Sequence, residues 1–280
     1  MKTFAKFLIR NALRIPFVRV FLFRNLAMAA GYIQVQLDQF RPEKTSRILK
    51  NLSELYPDKK VRRGPFSGLV YPAYEAVGSA MPPKLIGSYE DELHPFFTEV
   101  LEADYSDVVD VGAAEGYYVC GLALKNPELH AYAYDTDPYA RGLCSRMAEI
   151  NGISDRVHVR GLCDSKELEK FTGCRRLLVI SDCEGYEAEL INKEVVGKLS
   201  SATFMIEIHE FLDSRIPDIM TEAFSATHDI QIVMAENDTS KVLNRRFSEL
   251  EGLSDAERFE MIREGRPQMQ WWIARPRLSR

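Results

Sequence analysis

With 280 residues, 46% of them hydrophobic and 28% charged, the chain can bury a core of roughly one 170–200-residue domain plus an accessory piece, or of two small domains. A formal net charge of −5 weighs against a nucleic-acid partner held by phosphate neutralisation, which needs a basic surplus. The five cysteines, Cys120, Cys144, Cys163, Cys174 and Cys183, form no CxxC pair, so they suit small buried hydrophobes in a reducing compartment better than zinc ligands.

From Met1 to Leu37 there is no acidic residue, while Lys2, Lys6, Arg10, Arg14, Arg19 and Arg24 are interleaved with Phe4, Phe7, Leu8, Leu13, Phe17, Val20, Phe21 and Phe23. These charges cut every apolar run well short of the roughly 18–20 residues of a membrane span, and leave no secretory apolar stretch. Pro16 breaks or kinks any helix there. Two readings stand. Residues 1–24 form a cationic segment lying peripherally on an anionic membrane surface, or they pack on the remainder with their arginines in water, which is slightly favoured. The expected location is cytoplasmic, in keeping with the cysteine usage, and peripheral at the inner membrane surface on the first reading.

Residues 1–87 read as a mainly helical N-terminal extension. The clearest helix is Pro42–Leu55, where Ile48, Leu49, Leu52 and Leu55 are spaced for one apolar face. Turn chemistry follows at Tyr56-Pro57-Asp58, Gly64-Pro65 and Met81-Pro82-Pro83. Residues 88–280 then form the second domain, in which short apolar runs alternate with amphipathic stretches. Strands are predicted at Asp107–Val111, His130–Tyr134, Arg156–Arg160, Leu177–Ser181, Thr203–Ile208, Asp229–Met234 and Met269–Ala274. Helices are predicted between them at Tyr117–Leu124, Pro138–Ile150, Ser165–Phe171, Glu187–Val196 and Ile216–Ser225. Ser254 and Glu257 stand at capping-box spacing before one more helix. Strands alternating with helices imply a doubly wound, seven-stranded, mostly parallel sheet of Rossmann-like α/β class, its last strand antiparallel at an edge.

Ligands of such sheets bind beyond the carboxyl ends of the strands. Asp110-Val111-Gly112-Ala113-Ala114-Glu115-Gly116 lies there, after the first strand. Gly112 allows a positive φ and close backbone approach, and Gly116 permits close packing where the helix starts. Ala114 occupies a position where the nicotinamide fingerprint needs glycine, and Asp110 suits a cationic ligand better than a pyrophosphate. Asp135, ending the second strand, is placed to accept both hydroxyls of a ribose. Asp137, before Pro138, is a helix N-cap. Asp164 either meets an adenine amino group or caps the next helix. Asp182 and Glu184 follow the fourth strand and His209 the fifth, while Glu187 and Glu189 look like solvated helix positions.

Between about Ile86 and Phe211, somewhat under half the chain, the sequence resembles the FkbM-type family of class I S-adenosylmethionine-dependent methyltransferases. The resemblance is carried by Gly87-Ser88-Tyr89-Glu90, by Asp110-Val111-Gly112-Ala113 with Gly116, and by Asp135 with Pro138. Asp182-Cys183-Glu184-Gly185-Tyr186-Glu187 is its most particular element, joined by Ile206-Glu207-Ile208-His209-Glu210. It implies O-methylation of a sugar, glycolipid or other hydroxylated small molecule, with S-adenosyl-L-methionine as cofactor. Tyr89 and Glu90 would border the methionine end of that cofactor, in a binding set with Asp110, Gly112, Ala113, Gly116, Asp135, Asp164 and Asp182. Ala114-Glu115 departs from the family, which commonly has an asparagine-type residue there.

Methyl transfer to a hydroxyl needs in-line approach and a base. His209 is the natural base, because its ordinary pKa is near neutrality. Alternatively Asp182, Glu184 and His209 hold a divalent ion that acidifies the hydroxyl. The stretch 235–267 is expected to shape the acceptor site. Two other functions stay open: an N- or nucleic-acid methyltransferase, against which the absence of an Asn/Asp-Pro-Pro-aromatic element counts, and a non-catalytic cofactor-binding module.

Overall fold

The computed structural model describes residues 42–266 and 269–277; the basic segment of residues 1–24 lies outside the described residues. From Ser46 onward the chain folds as one compact unit. Helix α1 (Pro42–Leu55) forms as its periodicity predicts. It buries Leu52, with Ile48 and Leu55 packed alongside, but Leu49 is 40% exposed, so the apolar face is narrower than the spacing implied. Residues 56–80 are not helical. They run as turns, with an isolated antiparallel bridge between Lys60 and Val70. Helix α2 (Met81–Ile86) carries prolines in its first turn, where no intrahelical N–H bond is lost, and Gly87 ends it at φ +82°.

This stretch puts Tyr56, Phe66, Leu69, Tyr71 and Leu85 into the same core as sheet residues Val108, Ile180 and Met205. A division at residue 87 therefore does not mark a separate body among the described residues. Helix α3 (His94–Glu102) joins that core through Phe96, Phe97 and Val100.

Seven strands follow: β1 (Asp107–Val111), β2 (His130–Tyr134), β3 (Val157–Arg160), β4 (Leu177–Ser181), β5 (Thr203–Ile208), β6 (His228–Met234) and β7 (Gln270–Pro276). They are ordered β3-β2-β1-β4-β5-β7-β6. The first five are parallel, and β7 runs antiparallel to both its neighbours. This is the doubly wound, seven-stranded, mostly parallel Rossmann-like sheet predicted from the sequence.

One placement differs. Strand β7 is antiparallel as expected but lies inside the sheet, and β6 forms the edge. Burial explains the exchange: Trp271, Trp272, Ile273 and Ala274 are all buried, whereas β6 leaves Ile232 and Met234 about half exposed. A strand apolar on both faces needs neighbours on both sides.

Helices α4 (Tyr117–Lys125), α5 (Pro138–Ile150), α6 (Ser165–Glu169), α7 (Glu187–Leu190), α8 (Lys193–Lys198) and α9 (Ile216–Phe224) connect the strands. The helix predicted over Glu187–Val196 is thus two. Asn192 interrupts it, accepting the N–H groups of Glu194 and Val195 at 3.0 and 3.1 Å and so capping a new helix. Before β7 come α10 (Asp238–Asn244) and α11 (Asp255–Ile262), the latter with the capping box that Ser254 and Glu257 foreshadow.

Successive strand residues face opposite sides, building two cores. Val108, Ile180, Met205 and Trp271 pack against α1 to α5, while Val109, Val179, Phe204 and Trp272 pack against α6 to α9. No helix of the described residues is long and apolar enough to cross a membrane.

Candidate active site

A cleft of about 400 Å³ opens along the carboxyl edge of β1, β2, β3 and β4. The loop after each strand lines part of it: Gly112-Ala113-Ala114, Asp135-Thr136, Gly161-Leu162-Cys163, and Asp182-Cys183-Glu184 with Tyr186. Across from them stand Val77, Ser79, Lys84, Tyr89 and Tyr117. The volume lies within the ~300–1,000 Å³ common for cofactor pockets.

The glycine loop is shaped by contact with β4. Gly112 has φ +86°, and a Cβ there would fall 1.7 Å from the Asp182 carbonyl oxygen, so no other residue fits. Asp135 fixes the same loop from β2. Its Oδ2 accepts the Ala114 N–H at 2.8 Å and its Oδ1 accepts the Asp137 N–H at 2.8 Å. A carboxylate offers about four acceptor sites, so both oxygens keep capacity toward the cleft. Asp137 caps α5 through the Tyr139 N–H at 2.9 Å, as expected.

Glu115 explains the unusual Ala114-Glu115 pair. Its side chain is buried, 2.6 Å from Lys84 Nζ, and it accepts the Tyr71 hydroxyl at 3.2 Å and the Val77 N–H at 3.0 Å. The residue thus pins the segment 71–84 across the cleft mouth. Lys84 donates also to Ser79 Oγ at 2.7 Å, and its ammonium lies 4.7 Å from the centre of the Tyr89 ring and 5.2 Å from that of Tyr117. No local pattern announces the pair, whose members are 31 residues apart, Lys84 before the first strand and Glu115 after it.

At the β4–β5 end, parallel pairing of Ser181 with Ile206 brings the next residues, Asp182 and Glu207, side by side. His209 Nδ1 lies 2.6 Å from Glu187 Oε1, and both residues are buried. Glu187 is therefore not a solvated helix position. It sits in the first turn of α7, which packs it beneath the sheet edge. His209 Nε2 faces Glu207 Oε2 at 3.5 Å and Asp182 Oδ1 and Glu184 Oε2 at 3.6 Å each. Burial alone would lower the His209 pKa, but the Glu187 hydrogen bond and the nearby Asp182 charge raise it above its usual value. Burial, reinforced by the Asp182 charge, pushes the Glu207 carboxyl well above the carboxylate range. Glu184 is raised too, mainly by burial.

The cleft gathers Tyr89, Gly112, Ala113, Asp135, Asp182 and Glu184 of the predicted site residues. The others stand back from its walls. Asp110 is buried on the face under α4, with a carboxyl pushed up to about 8, chiefly by burial. Gly116 serves helix packing, since a Cβ there would meet Cys144 Sγ at 2.7 Å. Asp164 caps α6, accepting the Glu167 N–H at 2.8 Å. Glu90 is buried in an ion pair with Arg266, and burial pushes its carboxyl up to about 8. His209 lies behind Asp182 and Glu184 rather than in the wall.

No described residue of 235–266 lines this cleft either. That stretch instead anchors a buried charge network: Arg266 pairs with Glu207 at 2.7 Å and Glu264 at 3.0 Å, and Lys241 with Glu92 at 2.7 Å. Glu187, Glu207 and Arg266 are the residues of this region that sequence reasoning missed. Glu187 and Glu207 stand within the family-like elements without declaring a role there, Arg266 lies in no motif, and only tertiary contact gathers the three around His209 and Glu207.

No family model and no curated protein sequence matches the chain. Among solved structures, it is similar to a precorrin-6y C5,15-methyltransferase from Geobacter metallireducens, at 11% identity over 63% of this chain and 84% of that one, with a TM-score of 0.44. The tRNA methyltransferase TrmK of B. subtilis aligns at 13% identity over 64% of each chain, with a TM-score of 0.41. YjhP from E. coli aligns at 14% identity over 67% of this chain and 93% of its own, with a TM-score of 0.40.

Proposed function

We propose that the protein is an S-adenosylmethionine-dependent methyltransferase that methylates a hydroxyl of a small-molecule, sugar or glycolipid acceptor. The observation that carries the reading is the order of groups along one cleft, set by the strand order β3-β2-β1-β4: an apolar-walled end at Leu162 and Cys163, then the Asp135 carboxylate, then the Gly112 backbone, then Asp182, with Lys84 on the facing wall. That order matches adenine, ribose, and a methionine moiety bearing both positive and negative charge. Asp135 would accept the ribose hydroxyls. Of the three Lys84 ammonium hydrogens, Glu115 and Ser79 take two, leaving one for the cofactor carboxylate.

When bound, the cofactor would supply an electrophilic methyl group to the acceptor oxygen, its sulfur keeping the electron pair of the bond given up. The hydroxyl proton must leave to a base. Asp182 and Glu184 are the carboxyls that reach the cleft at its β4 end, and they are assigned to orient the hydroxyl and take that proton. A well-placed base contributes about 10²–10⁴ in rate. His209, behind them, positions these acids.

Calorimetric titration with S-adenosylmethionine tests the reading. The account expects saturable one-to-one binding, weakened tenfold or more by Asp135→Ala, since hydrogen bonds to a charged group contribute about 1.5–3 kcal/mol each. Absence of binding by the wild type removes the reading. Binding without transfer to any hydroxylated acceptor favours a non-catalytic module.

A further inference from the structure

We propose that Asp182, Glu207 and His209 bind a divalent first-row transition ion at the β4–β5 end of the cleft. One ligand atom from each lies within 4.8 Å of the others. Their convergence follows from the sheet: Asp182 and Glu207 are neighbours one residue beyond the Ser181–Ile206 pair, and His209 follows Glu207 by two.

Two features point to an ion rather than to a self-contained network. His209 is 3% exposed, yet its Nε2 stands 3.5–3.6 Å from three carboxylate oxygens, those of Glu207, Asp182 and Glu184. That exceeds the ~2.7–3.2 Å of an N–H···O hydrogen bond. It fits the separation of neighbouring ligands around one ion with bonds of about 2.0–2.2 Å, which is about 3.0–3.5 Å. Asp182 Oδ1, in the same spot, is a buried oxygen that accepts no N–H or hydroxyl of the protein and, His209 aside, meets only the Glu207 carboxyl beside it.

Charge is the second feature. Asp182, Glu184, Glu187 and Glu207 surround His209, and Arg266, which pairs with Glu207, is shared with Glu90 and Glu264. A dication would offset the charge of these carboxyls in their deprotonated, ligating form. It would also turn His209 into a neutral ligand, with Nδ1–H donated to Glu187 as in carboxylate–histidine–metal triads. One imidazole with carboxylates suits Mn²⁺, Fe²⁺ or Zn²⁺. The ion's chemical role rests on the methyltransferase reading: a Lewis acid held just behind the wall on Asp182, the one of its ligands that lines the cleft, would lower the pKa of an acceptor hydroxyl that reached it. Its binding does not rest on that reading.

The test uses the full chain, stripped with chelator and without cofactor. Mn²⁺ titration followed by electron paramagnetic resonance should saturate at one ion per chain, and pulsed spectra should show nitrogen modulation from one imidazole. Zn²⁺ should compete for the site. Asp182→Asn should weaken binding at least tenfold, and Mn²⁺ should raise the melting temperature of the wild type but not of the variant. No saturable binding to the wild type overturns the proposal. Saturable binding without nitrogen modulation, or with affinity unchanged in a folded Asp182→Asn, overturns it equally. Titration of the same samples with S-adenosylmethionine keeps the two readings separate: cofactor binding without ion binding sinks only the ion, and the reverse sinks only the cofactor.

Discussion

Glu187 Oε1 lies 2.6 Å from His209 Nδ1, and neither side chain is accessible to solvent. The hydrogen bond fixes the imidazole so that Nε2 points at Asp182, Glu184 and Glu207. Removing the carboxylate leaves a buried ring nitrogen without a partner, at a cost of about 1–3 kcal/mol. Glu187→Ala should therefore lower unfolding free energy in urea by about that amount. Glu187→Gln, which still accepts from Nδ1–H, should lose less. Equal stability of the Ala variant and wild type would contradict the buried pairing.

The Lys84–Glu115 ion pair separates stability from binding. Both side chains are almost inaccessible, so Lys84→Met alone strands a buried carboxylate and should cost about 3–5 kcal/mol. Adding Glu115→Gln removes the stranded charge and should restore much of that stability. Cofactor affinity should stay low in the double variant, because the ammonium is gone. Recovery of affinity along with stability would show Lys84 to be structural alone.

Gly112→Ala asks whether the glycine loop and β4 touch as described. The new Cβ would collide with the Asp182 carbonyl at a left-handed φ. Asp182 would have to move, so the variant should lose both melting temperature and cofactor affinity. Retention of both would refute the close approach.

Asp110 makes a prediction about pH. Its folded carboxyl holds its proton to about pH 8, whereas a free carboxyl releases it near 3.8. Between those values the folded state binds more protons than the unfolded one, so its contribution to stability falls as pH rises. Asp110→Asn should remove that slope, gaining melting temperature relative to wild type from pH 5 to pH 8. Parallel melting curves across the range would contradict the burial of that carboxyl.

Strands such as Leu177–Ser181, apolar on both faces, declare themselves through composition, and the Gly112 and Asp135 loops through the turn and cap residues that follow. The antiparallel sense of β7 was likewise legible. Its place inside the sheet was not, because alternating Trp271 and Trp272 burial depends on which strand finally pairs with it. The cleft half built by β1, β2 and β4 was readable from strand ends. The opposite wall at Lys84, which Glu115 pins, was not, nor was the cluster of Glu187, Glu207 and Arg266 behind Asp182, since these contacts join residues far apart in the chain. Asp110 shows the converse: a motif position suggests a ligand contact, but side-chain alternation along β1 turns it toward the core beneath α4.

A crystal structure with S-adenosylhomocysteine bears most directly on the central claim. The account predicts the ribose hydroxyls on Asp135, the adenine beside Leu162 and Cys163, the carboxylate on Lys84, and the sulfur facing Asp182 and Glu184. A nucleoside bound elsewhere, or one whose ribose avoids Asp135 while the cleft stays vacant, would contradict it.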